Sequence, residues 1–286
     1  MSELKNRYEF IVLFDVENGN PNGDPDAGNT PRIDEETGYG YITDVCIKRK
    51  IRNYVDLIKN GIPNFNILIK PDKALNTKFA EAYEAAEIKK SKEKIDDKNL
   101  VIVRDWMCKN YYDVRMFGAV MSTGDCPCGI VRGPVQINFA RSLSPINIKD
   151  ITITRQAKTT EDRKKEGETE MGKKSVIPYA VYRCEGYISA ALANKTTNID
   201  ESDIELLWEA ICNMFENDHS AARGKMCMRK LFVFKHDSEL GNSPSHILFD
   251  KIKVSNTCDD VPRRFDDYEI SIDNDLPKGV TLIEKL

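Results

Sequence analysis

Apolar positions follow two different periods along the chain, and the changes between them mark its elements. Residues 8–16 (Tyr-Glu-Phe-Ile-Val-Leu-Phe-Asp-Val) are a nearly unbroken run of β-branched and aromatic side chains, which predicts a strand buried on both faces. Residues 18–31 are almost pure turn chemistry, Asn-Gly-Asn-Pro-Asn-Gly-Asp-Pro followed by Asp-Ala-Gly-Asn-Thr-Pro. A loop of that length inside a domain is more often functional than incidental. The period then becomes 3.6: Ile47, Ile51, Tyr54, Val55 and Ile58 share a helical face. Thr43 is placed to cap that helix, Asp44 suits its first turn, and Gly61 ends it.

Further along, residues 65–69 read as a short strand, 73–90 as a helix and 91–98 as a charged linker, while 129–139, 151–155, 176–189 and 231–234 are strand-like. Ile204, Leu207, Trp208, Ile211, Met214 and Phe215 predict an amphipathic helix opened by a Ser202-x-x-Glu205 capping box. Residues 158–175 are highly charged and lack apolar periodicity, which reads as a mobile protrusion between two strands. The tail from Asp259 reads as acidic and rich in turns. Strands and helices mix without a regular βαβα alternation, so the expected class is α+β. The strand–helix–strand units near both ends fit a ferredoxin-like core with large insertions.

Charge changes this picture more than composition does. The net charge of the 286 residues is −4, but residues 196–218 carry seven acids and no Lys or Arg, and residues 220–235 carry five bases and no acid. Local patches decide whether a polyanion binds. On the helix after the long loop, Lys48, Arg52 and Lys59 fall on one stripe with Arg49 beside it. That stripe is either a solvated surface or a phosphate-binding flank. The longest strongly apolar run, residues 10–14, is far short of the ~20 residues a membrane-spanning helix needs. The first residues lack the layout of a signal peptide, and eight cysteines are too few for a disulfide scaffold, so reduced thiols and an intracellular location are expected.

Catalytic and metal patterns are sparse. Cys126-Pro127-Cys128 has the wrong spacing for a zinc pair and no second pair accompanies it; His219, His236 and His246 are scattered. Asp24, Asp26 and Glu35 miss the ligand and glycine positions of a calcium loop. No phosphate-binding glycine motif or nucleophile elbow is present. Acids crowd the 15–36 loop, which keeps a carboxylate-based nuclease open. Residues 115–122 match the RNP1 strand of RNA-recognition domains at Arg115, Phe117, Gly118 and Val120 and miss its other positions.

Taken together, residues 15–25, 43–52, 113–119, 132–136, 153–155, 171–174 and 220–224 resemble, in order and spacing, the backbone subunit of the type I-C CRISPR Cascade complex. The resemblance implies one right-hand-shaped domain over residues 1–286: a modified RNA-recognition (ferredoxin-like) palm with an 18–42 loop, helical fingers at 70–110 and a thumb at 156–176. It implies a non-catalytic, cytoplasmic protein without cofactor or membrane contact. Its partners would be CRISPR RNA, further copies of itself, other Cascade subunits and, through the guide, a target DNA strand. Such a guide holder gains affinity from phosphates and 2′-hydroxyls because base edges must stay free. The candidate RNA-binding residues are Thr43, Lys48, Arg49, Arg52, Arg115, Phe117, Arg155, Met171 and Arg223. Met171 is either a wedge between bases or a structural methionine at a strand return. Related type III backbone subunits cleave RNA with a loop aspartate, so Asp24, Asp26 and Asp34 carry the alternative of a metal-dependent endoribonuclease.

Overall fold

The apolar run at the start of the chain is the spine of the fold. In the computed structural model, which describes residues 3–89, 95–155 and 170–286, it is the strand Tyr8–Gly19, buried over most of its length. Its two neighbours are the long strand Glu170–Ile188, in register from Tyr8↔Ile188 to Gly19↔Ile177, and the strand Lys225–His236, from Tyr8↔Lys235 to Glu17↔Lys225. Both pairings are antiparallel. Val280–Glu284 extends the sheet beyond Lys225–His236; Ala140–Pro145 and then Tyr39–Ile42 extend it on the other side. The architecture is mixed α and β on an antiparallel sheet.

Alternation across the central strand sorts its side chains between two packed faces. Phe10, Val12, Phe14 and Val16 lie under the helices Asp44–Ile58 and Glu201–Asn213, joined by Ile47, Ile51, Val55, Trp208 and Phe215. Phe10 meets Trp208 edge-on, with centroids 5.3 Å apart, and Phe14 stacks on Tyr182 at 5.6 Å. Ile11 and Leu13 face the other way, with Phe232 and Phe234, beneath Leu248, Phe249 and Ile252. The helix Ser245–Phe249 and the hairpin Ile252–Asn256/Tyr268–Ile272 supply that cover. The acidic tail from Asp259, expected to be turns, therefore holds two strands, Tyr268–Ile272 and the sheet edge Val280–Glu284.

A second core belongs to the helices Leu75–Ala85 and Asp97–Asn110 and the hairpin Gly118–Met121/Gly129–Arg132. Phe79, Tyr83, Val103 and Met107 fill it, together with Cys108, Cys126 and Cys128. Lys78 is buried there with its ammonium on Asp72 (2.6 Å) and on the carbonyls of Ile67, Leu68 and Lys70. The 65–69 segment is not a strand; Asn66 makes a single bridge to Tyr111. The predicted capping box is also displaced. Asp200 caps the helix Glu201–Asn213 by accepting from the Ser202 and Asp203 amides, because a carboxylate two residues earlier reaches those donors first. Most of the expected thumb, residues 156–169, lies outside the described residues; the strands flanking it, Lys149–Arg155 and Glu170–Ile188, pair antiparallel from Arg155↔Glu170 to Lys149↔Val176.

Candidate nucleic-acid interface

The long loop is held, not free. Thr43 caps the helix Asp44–Ile58 by accepting from the Cys46 amide (3.3 Å), and its own amide and hydroxyl donate to Asn22 Oδ1 at 3.0 and 3.1 Å. The Cys46 thiol donates to the Pro21 carbonyl, and burial raises its pKa. Asn20 ties two distant segments, its amide donating to the Ala222 carbonyl (2.8 Å) and its side chain to the Asn29 carbonyl (2.7 Å). Two glycines allow this approach: a Cβ on Gly19 would lie 1.8 Å from the Arg223 carbonyl oxygen, and Gly224 has φ +63° with the Asn18 and Glu17 carbonyls 2.5 Å from where its Cβ would stand.

The result is a furrow of two clefts that share Asn20, Asn29 and Ala222. One, of about 280 Å³, lies along the helix Asp44–Ile58 and is lined by Arg49, Lys50, Asn53 and Arg223; the other, of about 420 Å³, reaches the ribbon formed by Lys149–Arg155 and Glu170–Ile188 and is lined by Lys173 and Lys174. The acids in it are matched. Asp218 is paired with buried Lys50 and with Arg223 (2.9 Å), and Asp150 accepts from the Ser175 hydroxyl (2.6 Å). Arg49 and Lys173 are exposed and have no ion pair among the described residues, and Lys174 is tethered to the Ala221 carbonyl at 2.8 Å. Such a furrow suits a phosphate chain: several cations around backbone and amide groups.

Its membership differs from the stripe read off the helix. Lys48 pairs with Asp44 (2.8 Å) and Arg52 with buried Asp113 (2.9 Å), and both cations lie over the Phe117 ring, 5.7 and 5.3 Å from its centre. Lys59 lies over Phe65 at 5.4 Å. Of the candidate residues whose side chains are described, only Arg49 and Arg223 line the furrow, with Thr43 holding its floor. Arg115 and Phe117 are each 7% exposed, and Arg115 grips Asp203 with two bonds of 2.9 and 2.8 Å between Phe65 and Tyr112. The RNP1-like stretch is not a strand of the main sheet: its first residues end the helix Tyr112–Phe117, where Asp113 and Arg115 fold inward onto buried partners, and Gly118–Met121 pairs only in the hairpin with Gly129–Arg132. Asp113 also accepts from the Leu68 and Ile69 amides. Met171 is 76% exposed on the strand Glu170–Ile188, and the Arg155 side chain lies outside the described residues. Asn20, Lys173 and Lys174 were missed as site residues, although the Asn-Gly-Asn-Pro and Met-Gly-Lys-Lys motifs contain them.

The aspartates of the nuclease alternative do not converge. Asp24 pairs with Arg32 (3.1 Å), while Asp34 faces Arg141 (3.5 Å) and is held below its ordinary pKa first by the Thr37 hydroxyl. Among the described residues, no group of three or more His, Cys, Asp or Glu is placed to hold a metal ion. Cys128 is buried and its thiol is pushed up to about 12. No helix among the described residues is long and apolar enough to cross a membrane.

Comparison with known proteins agrees with the motifs. A curated CRISPR-associated protein Cas7 from Haloferax volcanii is 26% identical over 256 residues, covering 83% of this chain and 72% of that protein. Among solved structures, a chain of a "CRISPR RNA-guided surveillance complex, pre-nicking" aligns with TM-score 0.48 and 12% identity, over 80% of this chain and 78% of that one. A chain of the type III-B Cmr-beta complex bound to cognate target RNA aligns with TM-score 0.43 and 14% identity, over 80% of this chain and 61% of that one. The sequence pattern that defines CRISPR-associated protein Cas7 runs through residues 6–273, nearly end to end, and it is to this family that the chain belongs.

Proposed function

We propose that this protein is a non-catalytic backbone subunit of a type I-C-like CRISPR effector complex that binds CRISPR RNA without reading its sequence. Several copies lie along the guide and leave its bases free to pair with target DNA. The observation that carries this reading is the furrow, where Arg49, Arg223, Lys173 and Lys174 gather around a pinned turn loop. The order of elements supports an RNA-recognition-like palm. Strand, helix, strand, strand, helix and strand (Tyr8–Gly19, Asp44–Ile58, Ala140–Pro145, Glu170–Ile188, Glu201–Asn213, Lys225–His236) lie as fourth, first, third and second strands across the sheet. The sheet face on which such domains stack bases is covered here by the C-terminal elements, so contact moves to the furrow at the end of the central strand.

Fluorescence titration of single-stranded RNAs of different sequence, over a range of salt, tests the reading. Replacing Arg49, Lys173, Lys174 and Arg223 by Ala together should weaken every RNA alike. It should also reduce the salt slope by about 3, because each cation seated on a phosphate of a single strand adds ~0.7 to that slope. Unchanged affinity and slope in a variant that still unfolds cooperatively would remove the furrow from the site. Labelled RNA incubated with Mg²⁺ should stay intact; cleavage abolished by Asp24→Ala, Asp26→Ala or Asp34→Ala would establish the endoribonuclease instead.

A further inference from the structure

The cover over the far face of the sheet stops short. Arg183 reaches into it, donating to the Ile252 carbonyl (2.6 Å) and the Phe249 carbonyl (2.9 Å), and Leu143 packs beneath Tyr268 and Phe265. Arg141 is the cross-strand partner of Arg183, and Tyr41 that of Arg141, so these side chains share that face. Past Arg183 the face opens to solvent, and the Arg141 side chain is 63% exposed. Tyr39, Tyr41, Phe139 and Arg141, with Ile33 and Asp34, line an open basin of about 460 Å³. The Tyr41 and Phe139 rings are parallel within 5° with centroids 6.1 Å apart, Phe139 is 53% exposed, and the Arg141 guanidinium lies 5.9 Å from the Tyr39 ring centre. Tyr, Phe and Arg gathered at an open apolar surface are the composition of a protein contact. The rim is acidic: Asp34, kept ionised by its hydrogen bonds, is followed by exposed Glu35 and Glu36. That rim repels a polyanion and selects a basic, apolar partner.

The same chain carries a surface of that kind. In the hairpin Gly118–Met121/Gly129–Arg132, Val120 and Ile130 stand directly opposite each other and are 72% and 64% exposed. Arg132 lies two residues from Ile130 on the same face, is exposed, and has no ion pair among the described residues. A cross-strand apolar pair held this far out in water is costly on an isolated subunit. We propose that the Val120–Ile130 knob of one copy seats in the Tyr39–Tyr41–Phe139 basin of the next, with Arg132 against the Asp34–Glu36 rim. The contact is heterologous, so a joined pair keeps one knob and one basin free for further neighbours. This rests on the backbone reading above and names the surfaces through which copies meet.

Cross-linking of mixed variants tests it. Val120→Cys and Phe139→Cys proteins, incubated with long single-stranded RNA and a short bis-maleimide, should give this dimer only when the two are mixed, and the double variant Val120→Cys/Phe139→Cys should give longer ladders. Val120→Asp should lower the affinity between RNA-bound copies by about tenfold or more, as removal of a central anchor does. Arg132→Asp should shorten the assemblies and Asp34→Lys should restore them. Multi-copy particles that form without the mixed cross-link overturn this contact alone. Photo-cross-linking of RNA to Tyr41 or Phe139 also overturns it, since the basin would then hold nucleic acid. A single copy on RNA of every length, without cross-link, overturns the backbone reading together with the contact.

Discussion

Glu9 shows how much a buried side chain in the central strand depends on its neighbours. It is fully buried, and its carboxylate accepts from His236 Nε2 (2.6 Å) and the Ser245 hydroxyl (3.0 Å) while pairing with Arg7. The other ring nitrogen of His236 accepts from the Asn242 amide (2.7 Å), so a neutral ring carries its proton on the side facing Glu9. Burial alone would raise the Glu9 pKa; the His236 hydrogen bond and the Arg7 charge more than offset it and leave it below the ordinary 4.5. A depressed carboxylate stabilises the fold above its unfolded-state pKa, and that contribution is lost as pH falls through the folded value. The wild-type protein should therefore lose stability below pH 4.5. Glu9→Gln should cost about 1–3 kcal/mol near neutrality and show a shallower acid limb in urea unfolding at a series of pH values. An identical acid limb in the variant would mean that other carboxylates set it.

The junction between the turn loop and the 218–224 segment is where elements become a site. Both sides are turn-rich in sequence, and neither indicates the other as its partner. Gly19 and Gly224 join them because only hydrogen fits between the two backbones. Gly19→Ala should destabilise the protein by about 1–3 kcal/mol through the displaced strands. It should also weaken RNA binding, although it removes no charge, because it shifts Arg223 relative to Arg49. Denaturant unfolding and RNA titration on the same variant check both effects. Full RNA affinity in Gly19→Ala would show that the furrow does not depend on this contact.

The molecule as a whole is a sheet wrapped on both faces, and its C-terminal 42 residues, 245–286, supply one of the wraps. Removing them should expose Ile11, Leu13, Phe232 and Phe234, now all buried, and leave the strand Lys225–His236 without its outer partner. A chain ending at Pro244 should bind hydrophobic dye strongly and sediment as aggregate, and a monomeric, dye-silent truncation would contradict the layered core. The cover also separates surfaces by chemistry: it closes the middle of the sheet and leaves the basic furrow at one end and the acid-rimmed aromatic basin at the edge.

Local pattern was enough for the elements whose burial is one-dimensional. The strand at residues 8–16, the Thr43 cap, the helix face of Ile47, Ile51 and Val55, and the turn loop were all legible, because a solid apolar run, a 3.6 period and Asn-Gly-Pro clusters each answer to one local cause. The fate of each charge was not. Lys48, Arg52 and Arg115 read as phosphate ligands because a cation looks the same whether it faces solvent or a buried acid. Asp44 lies within reach along the helix, but Asp113 and Asp203 come 61 and 88 residues after their partners. The helix at Tyr112–Phe117, where a strand motif was read, has the same origin, since Asp113 and Arg115 are drawn to partners outside that segment. Arg49 and Arg223 are separated by most of the chain, and they line one cleft only because the central strand and the loop after it carry Asn20 to Ala222. Long-range pairing of this kind is set when the sheet closes, and no window of sequence contains both of its halves.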